Sequence, residues 1–103
     1  KVFKERGITH LDLHGTKHQD ASSEVLNFIY QYQELLPLII ICGNSNKMIE
    51  VTSRCLKDAE IIFSSPRFGI IRIEMIVNKP LFKFYFNYKS NKDAKCQLLG
   101  NNQ

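Results

Sequence analysis

Thr9-His10-Leu11-Asp12-Leu13-His14-Gly15 is the stretch from which the fold can be read. Thr9, Leu11 and Leu13 alternate with His10, Asp12 and His14, the two-residue period of a half-buried strand. The leucines turn inward and the His-Asp-His set lies on the opposite face. Gly15 ends the strand. Thr16 and Asp20 are both N-cap candidates for a helix, and Thr16 to Gln19 matches a capping box. Ala21, Val25, Phe28, Ile29 and Tyr32 then recur at helical spacing, which predicts a first helix over 18–34. Pro37 forbids its continuation.

Leu38-Ile39-Ile40-Ile41-Cys42 is short, continuous and β-branched between Pro37 and Gly43. It reads as a strand covered on both sides or central in a sheet. Gly43-Asn44-Ser45-Asn46 is a turn in which Ser45 or Asn46 can cap the next helix. Ile49, Thr52, Leu56 and Ala59 mark that helix over 47–60. Ser64-Ser65-Pro66 reads as a break. Ile71, Ile73, Met75 and Val77 form a third strand, Asn78-Lys79-Pro80 turns the chain, and Phe82, Phe84, Phe86 and Tyr88 line one side of a fourth.

The expected order is βαβαββ. Strand-helix-strand crossovers within one sheet run parallel and right-handed, so the first three strands are expected to be parallel and the last pair an antiparallel hairpin. Two short helices cannot cover both faces of a four-stranded sheet. The expected fold is therefore an α/β two-layer sandwich, a mixed four-stranded sheet with two helices on one face and the other face partly open. Residues 1–7 read as an N-terminal arm, 8–88 as the domain and 89–103 as a basic tail.

Composition fits that outline. The chain has 103 residues, 44% hydrophobic and 23% charged, which is ordinary for a globular domain and argues against a disordered one. No apolar run approaches the roughly 18 residues of a membrane span; the longest, Leu35 to Gly43, is broken by Pro37. No hydrophobic segment follows the charges of Lys1 to Arg6, so neither a secretory signal nor a membrane partner is expected. Three cysteines without metal spacing read as free thiols in a reducing compartment, hence the cytoplasm. The net charge of +4 tilts toward polyanionic partners. Lys79, Lys83, Lys89, Lys92 and Lys95 against Asp93 supply that excess, either as a solvated tail or as phosphate contacts.

In open α/β sheets ligands bind outside the carboxyl ends of the strands. His14-Gly15 leaves one such end and Cys42-Gly43-Asn44-Ser45 another. The second turn opens a helix, whose free N–H groups attract phosphate, although a plain strand-to-helix connection would read the same way. Asp12 and His14 are next-but-one neighbours on one face, close enough for a carboxylate to orient an imidazole that exchanges a proton near neutral pH. Such a pair beside a phosphate-binding turn suits phosphodiester chemistry. His10, Asp12 and His14 could instead hold a divalent cation, though positions roughly 7 Å apart along a strand are wide for one ion; no other cofactor is implied. Cys42 reads as a buried structural thiol or a nucleophile, while Cys55 and Cys96 have no evident partner. The Phe82–Tyr88 row could stack unpaired bases beside Lys83 and Lys89, or face the core and leave Lys83, Tyr85 and Asn87 exposed.

Leu11-Asp12-Leu13-His14-Gly15, with Asp20-Ala21 at the start of a helix, resembles the small MutS-related (Smr) domain, and so does the order of elements over residues 8–88. The resemblance implies a fold similar to the carboxy-terminal domain of a bacterial translation initiation factor. It also implies a nucleic-acid-binding domain, often one with nicking or RNA-cleaving endonuclease activity. The family's Asp-x-His pair falls on Asp12 and His14, which become the expected catalytic residues. Its second motif, usually Thr-Gly-x-Gly or His-Gly-x-Gly, falls on Cys42 to Ser45, where only Gly43 matches. Glycine at the last position permits a positive φ that Ser45 would resist. His10, Gly15, Gly43, Asn44, Ser45 and Lys47 are the expected phosphate- and substrate-binding set. The resemblance leaves two functions open: an endonuclease acting on RNA or on structured or nicked DNA, and a non-catalytic module that binds nucleic acid or the ribosome.

Overall fold

The computed structural model describes residues 1–77. In chain order it contains β1 (Val2–Glu5), β2 (Ile8–Asp12), α1 (His18–Gln31), a 3-10 turn (Gln33–Leu35), β3 (Leu38–Ile41), α2 (Asn46–Asp58), β4 (Ile61–Arg67) and β5 (Ile70–Ile76). The five strands form one mixed sheet in the order β1-β2-β3-β5-β4. The expected strand over Phe82 to Tyr88 and the expected tail over 89–103 lie outside the described residues.

The domain is α/β, as expected, but the sheet has five strands among the described residues rather than four. The stretch read as an N-terminal arm contributes β1, which pairs antiparallel with β2 from Val2↔Leu11 to Glu5↔Ile8. Arg6 and Gly7 both hold positive φ, 53° and 79°. That is the geometry of a two-residue hairpin turn matched to strand twist. Its signal is weak in the sequence because Val2-Phe3-Lys4-Glu5 lacks clean alternation.

Ser64-Ser65-Pro66, read as a break, lies inside β4. Proline is tolerated because β4 is an edge strand, where a missing N–H removes no ladder bond. Two register shifts, at Ile62/Phe63 and Ser64/Arg67, bend the strand there. The crossover through α2 therefore ends in β4. Phe68-Gly69 then turns the chain back, and β5 inserts between β3 and β4. The strand over Ile71 to Val77 was expected parallel to its predecessor; β5 pairs antiparallel with both β3 and β4. β2 and β3 are parallel as expected.

Cross-strand register sorts the side chains by face. Leu11, Ile40 and Ile71 align in one row, and Leu38 faces Ile73. All five are buried and share one core with Ala21, Val25, Phe28 and Ile29 of α1 and Met48, Cys55 and Leu56 of α2. Both helices thus pack on the same sheet face. Burying each Leu, Ile or Phe contributes at most about 1.5–3 kcal/mol. On the other face Phe3, His10, Ile39, Arg72 and Ser64 align across all five strands. None of these is buried.

α1 does not use the expected caps. Lys17 occupies the N-cap with no side-chain hydrogen bond, and Asp20 lies in the first turn, where its charge favours the helix dipole. Neither Thr16 nor Asp20 serves as the cap. The helix ends at Gln31 and tightens into the 3-10 turn before Pro37.

Candidate nucleic-acid interface

β2, β3 and β4 run in one direction, so their carboxyl ends and the amino ends of both helices meet at one edge of the domain. Three loops converge there. The Leu13 N–H donates to Ile41 O (3.0 Å), and the Cys42 N–H donates to Gly69 O (2.7 Å). The first loop is thereby tied to the end of β3, and the second loop to the β4–β5 turn. Proximity of the first two loops was legible in the sequence; the third was not, because Ser64-Ser65-Pro66 in β4 was read as a break.

In the first loop, Asp12 is the last residue of β2 and His14 is exposed. The Asp12 carboxylate accepts the His14 backbone N–H at 2.9 Å. It makes no ion pair with the His14 imidazole among the described residues. Oδ1 of this carboxylate holds the backbone of the turn that carries His14. β2 ends at Asp12, and His14 lies in the turn just beyond it. Gly15 follows with φ 83°, and the Thr16 N–H closes the turn on Leu13 O (2.9 Å).

His10 lies two positions back on the open sheet face, outside the loop cluster. Its ring stacks on Phe3, centroids 5.0 Å apart, and Nδ1 donates to Ile8 O at 2.8 Å. A carbonyl can only accept, so Nδ1 carries the proton. His10 is therefore a packed residue of the β1–β2 ribbon. Among the described residues, no three His, Cys, Asp or Glu side chains are grouped to hold a metal ion.

In the second loop Gly43 has φ 75° and, like Asn44, is exposed. Among the described residues the Gly43 and Asn44 amides donate no hydrogen bond. Ser45 sits at φ −91° and ψ 110°, and its Oγ accepts the Met48 N–H at 3.0 Å. It is the N-cap of α2. The expected conflict between Ser45 and a positive φ does not arise, because the backbone at 45 is extended. Lys47 projects from the first turn of α2 and is exposed.

Cys42 faces inward. Burial pushes its thiol pKa up, and the adjacent Thr52 pulls it partly back, although Thr52 Oγ1 makes no hydrogen bond of good geometry. Its burial and raised pKa both favour packing over nucleophilic attack.

Around the three loops stand exposed Lys17, His18, Lys47 and Arg67 together with His14. Asp12, Asp20 and Glu50 lie within three residues of His14, Lys17 and Lys47 respectively, and Glu50 lines one groove with Lys47. Arg67 and Phe68, at the β4–β5 turn, were missed in the sequence reading; the Arg67-Phe68-Gly69 triplet between two apolar stretches was the signal that could have found them. No helix among the described residues is long and apolar enough to cross a membrane. Family models, curated proteins and solved structures all fail to match the chain.

Proposed function

We propose that the domain is an Smr-like nucleic-acid-binding domain that cleaves RNA at the edge where the three loops meet. One observation carries the reading: His14 of the first loop, Lys47 of the first turn of α2 and Arg67 at the end of β4 flank the edge where backbone hydrogen bonds tie three loops together, beside the unengaged Gly43 and Asn44 amides. Cations and unengaged N–H groups are what a phosphodiester backbone requires of its site.

On RNA, His14 takes the proton of a 2′-hydroxyl as its oxygen attacks the adjacent phosphorus. The bond from phosphorus to the 5′-oxygen breaks, and that oxygen leaves as the 5′-hydroxyl after receiving a proton from water or from a protonated histidine. The Gly43 and Asn44 amides stabilise the extra negative charge on the phosphoryl oxygens. Asp12 acts through the backbone by fixing the turn that presents His14. DNA lacks the internal nucleophile and is the harder substrate.

The second reading, binding without cleavage, is favoured by the Asp12 carboxylate being engaged with an amide rather than with the imidazole. Incubating labelled RNA and DNA with wild type, His14→Ala and Lys47→Ala separates the two. RNA cleavage lost in His14→Ala with binding retained supports the nuclease. Salt-sensitive binding without cleavage by any of the three supports the binding module. Absence of both overturns the proposal.

A further inference from the structure

We propose that Phe68 stacks on a nucleobase, so that the site takes single-stranded nucleic acid in preference to duplex; this rests on the nucleic-acid reading above. Phe68 is 63% exposed, more than any other large hydrophobic side chain among the described residues. It stands at a tight turn, where small or polar residues are the usual choice.

The turn that carries the ring is nevertheless held in place. Gly69 O accepts the Cys42 N–H, and the Gly43 carbonyl packs where a side chain of Gly69 would be. Ser65 Oγ braces the base of the turn by donating toward Arg67 O (3.2 Å) or Ile70 O (3.1 Å). The backbone that carries Phe68 is thus held next to the Gly43-Asn44 loop, with the Arg67 cation preceding it.

Asp12, Ile41 and Ile70 are register neighbours, so the His14 turn and the Phe68 turn are separated by two strand spacings, about 10 Å. That distance suits a phosphate at the first two loops and a neighbouring base at the third. A base inside a duplex has both faces covered by its neighbours, whereas an unpaired base offers an open π-face to the ring.

The chain contains no tryptophan, so Phe68→Trp introduces a single fluorescent reporter at the stacking position. The wild-type chain, Phe68→Ala, Phe68→Trp and Lys47→Ala are titrated with a single-stranded RNA oligomer and with an RNA duplex. The expected result is roughly a 5- to 150-fold loss of single-strand affinity in Phe68→Ala, with duplex affinity unchanged. Phe68→Trp is expected to bind the single strand as wild type does, with its emission quenched. Single-strand binding unaltered in Phe68→Ala but weakened in Lys47→Ala overturns the stacking role and leaves the interface standing. Absence of salt-sensitive binding by wild type overturns the interface and the stacking role with it. Circular dichroism checks that the variants remain folded.

Discussion

Gly69 rests against Gly43 so closely that a β-carbon on Gly69 would overlap the Gly43 carbonyl oxygen. The contact joins the β4–β5 turn to the loop that opens α2, next to the hydrogen bond from Cys42 to Gly69. Gly69 also holds φ 82°, so two constraints act at one residue.

Gly69→Ala is therefore expected to destabilise the domain by about 3 kcal/mol, from the left-handed backbone and the overlap together. Gly15→Ala and Gly43→Ala meet no atom within 4 Å and carry only the backbone penalty, about 1–2 kcal/mol. Urea unfolding of the three variants checks the ranking; equal losses would remove the packing role of Gly69.

Asp12→Asn is expected to keep the His14 turn, because an amide oxygen can still accept the backbone N–H. Asp12→Ala is expected to cost about 1 kcal/mol of stability and to lower activity or binding at the loops. A role for the carboxylate charge on the imidazole would make Asn fail as badly as Ala, and comparing the two variants decides between these roles.

Ser45→Ala is expected to cost about 1 kcal/mol through loss of the α2 cap, and Ser45→Gly only a few tenths. Thermal melts measure the difference. A gain in stability on Ser45→Gly would mean that position 45 is strained.

Alkaline pH is expected to weaken the fold through Cys42 and Tyr30. Burial raises the pKa of both, and for Tyr30 the Cys55 charge adds to the rise. Between the unfolded and folded pKa values of each group the native state holds more protons than the unfolded one, so stability falls as pH rises. The contribution is whole below the ordinary thiol range and is lost above it, with Tyr30 adding its loss above the ordinary phenol range. Urea unfolding at pH 7 and at about pH 9.5 is expected to show a smaller drop in Cys42→Ala than in wild type.

Lys47→Ala and Arg67→Ala are each expected to reduce the slope of log affinity against log salt by about 0.7 for a single strand. A slope unchanged in both would place the phosphate contacts elsewhere. The test is independent of catalysis and applies equally to the binding-only reading.

Periodicity alone determined β2, both helices and β3, because Leu11 and Leu13, the Ala21–Ile29 spacing and the Leu38–Ile41 run are local patterns that burial on one face imposes. It also determined that the His14-Gly15 and Gly43–Ser45 turns share an edge, since two parallel strands leave no other arrangement. What only tertiary structure decided was set by partners distant in the chain. Val2–Glu5 and Ser64–Arg67 are strands because β2 and β5 supply hydrogen bonds along an edge, not because their own residues alternate. Asp12 accepts a backbone amide of the turn that begins where β2 ends. The third loop of the site exists because β5 inserts between β3 and β4, a pairing that no short window of residues can encode.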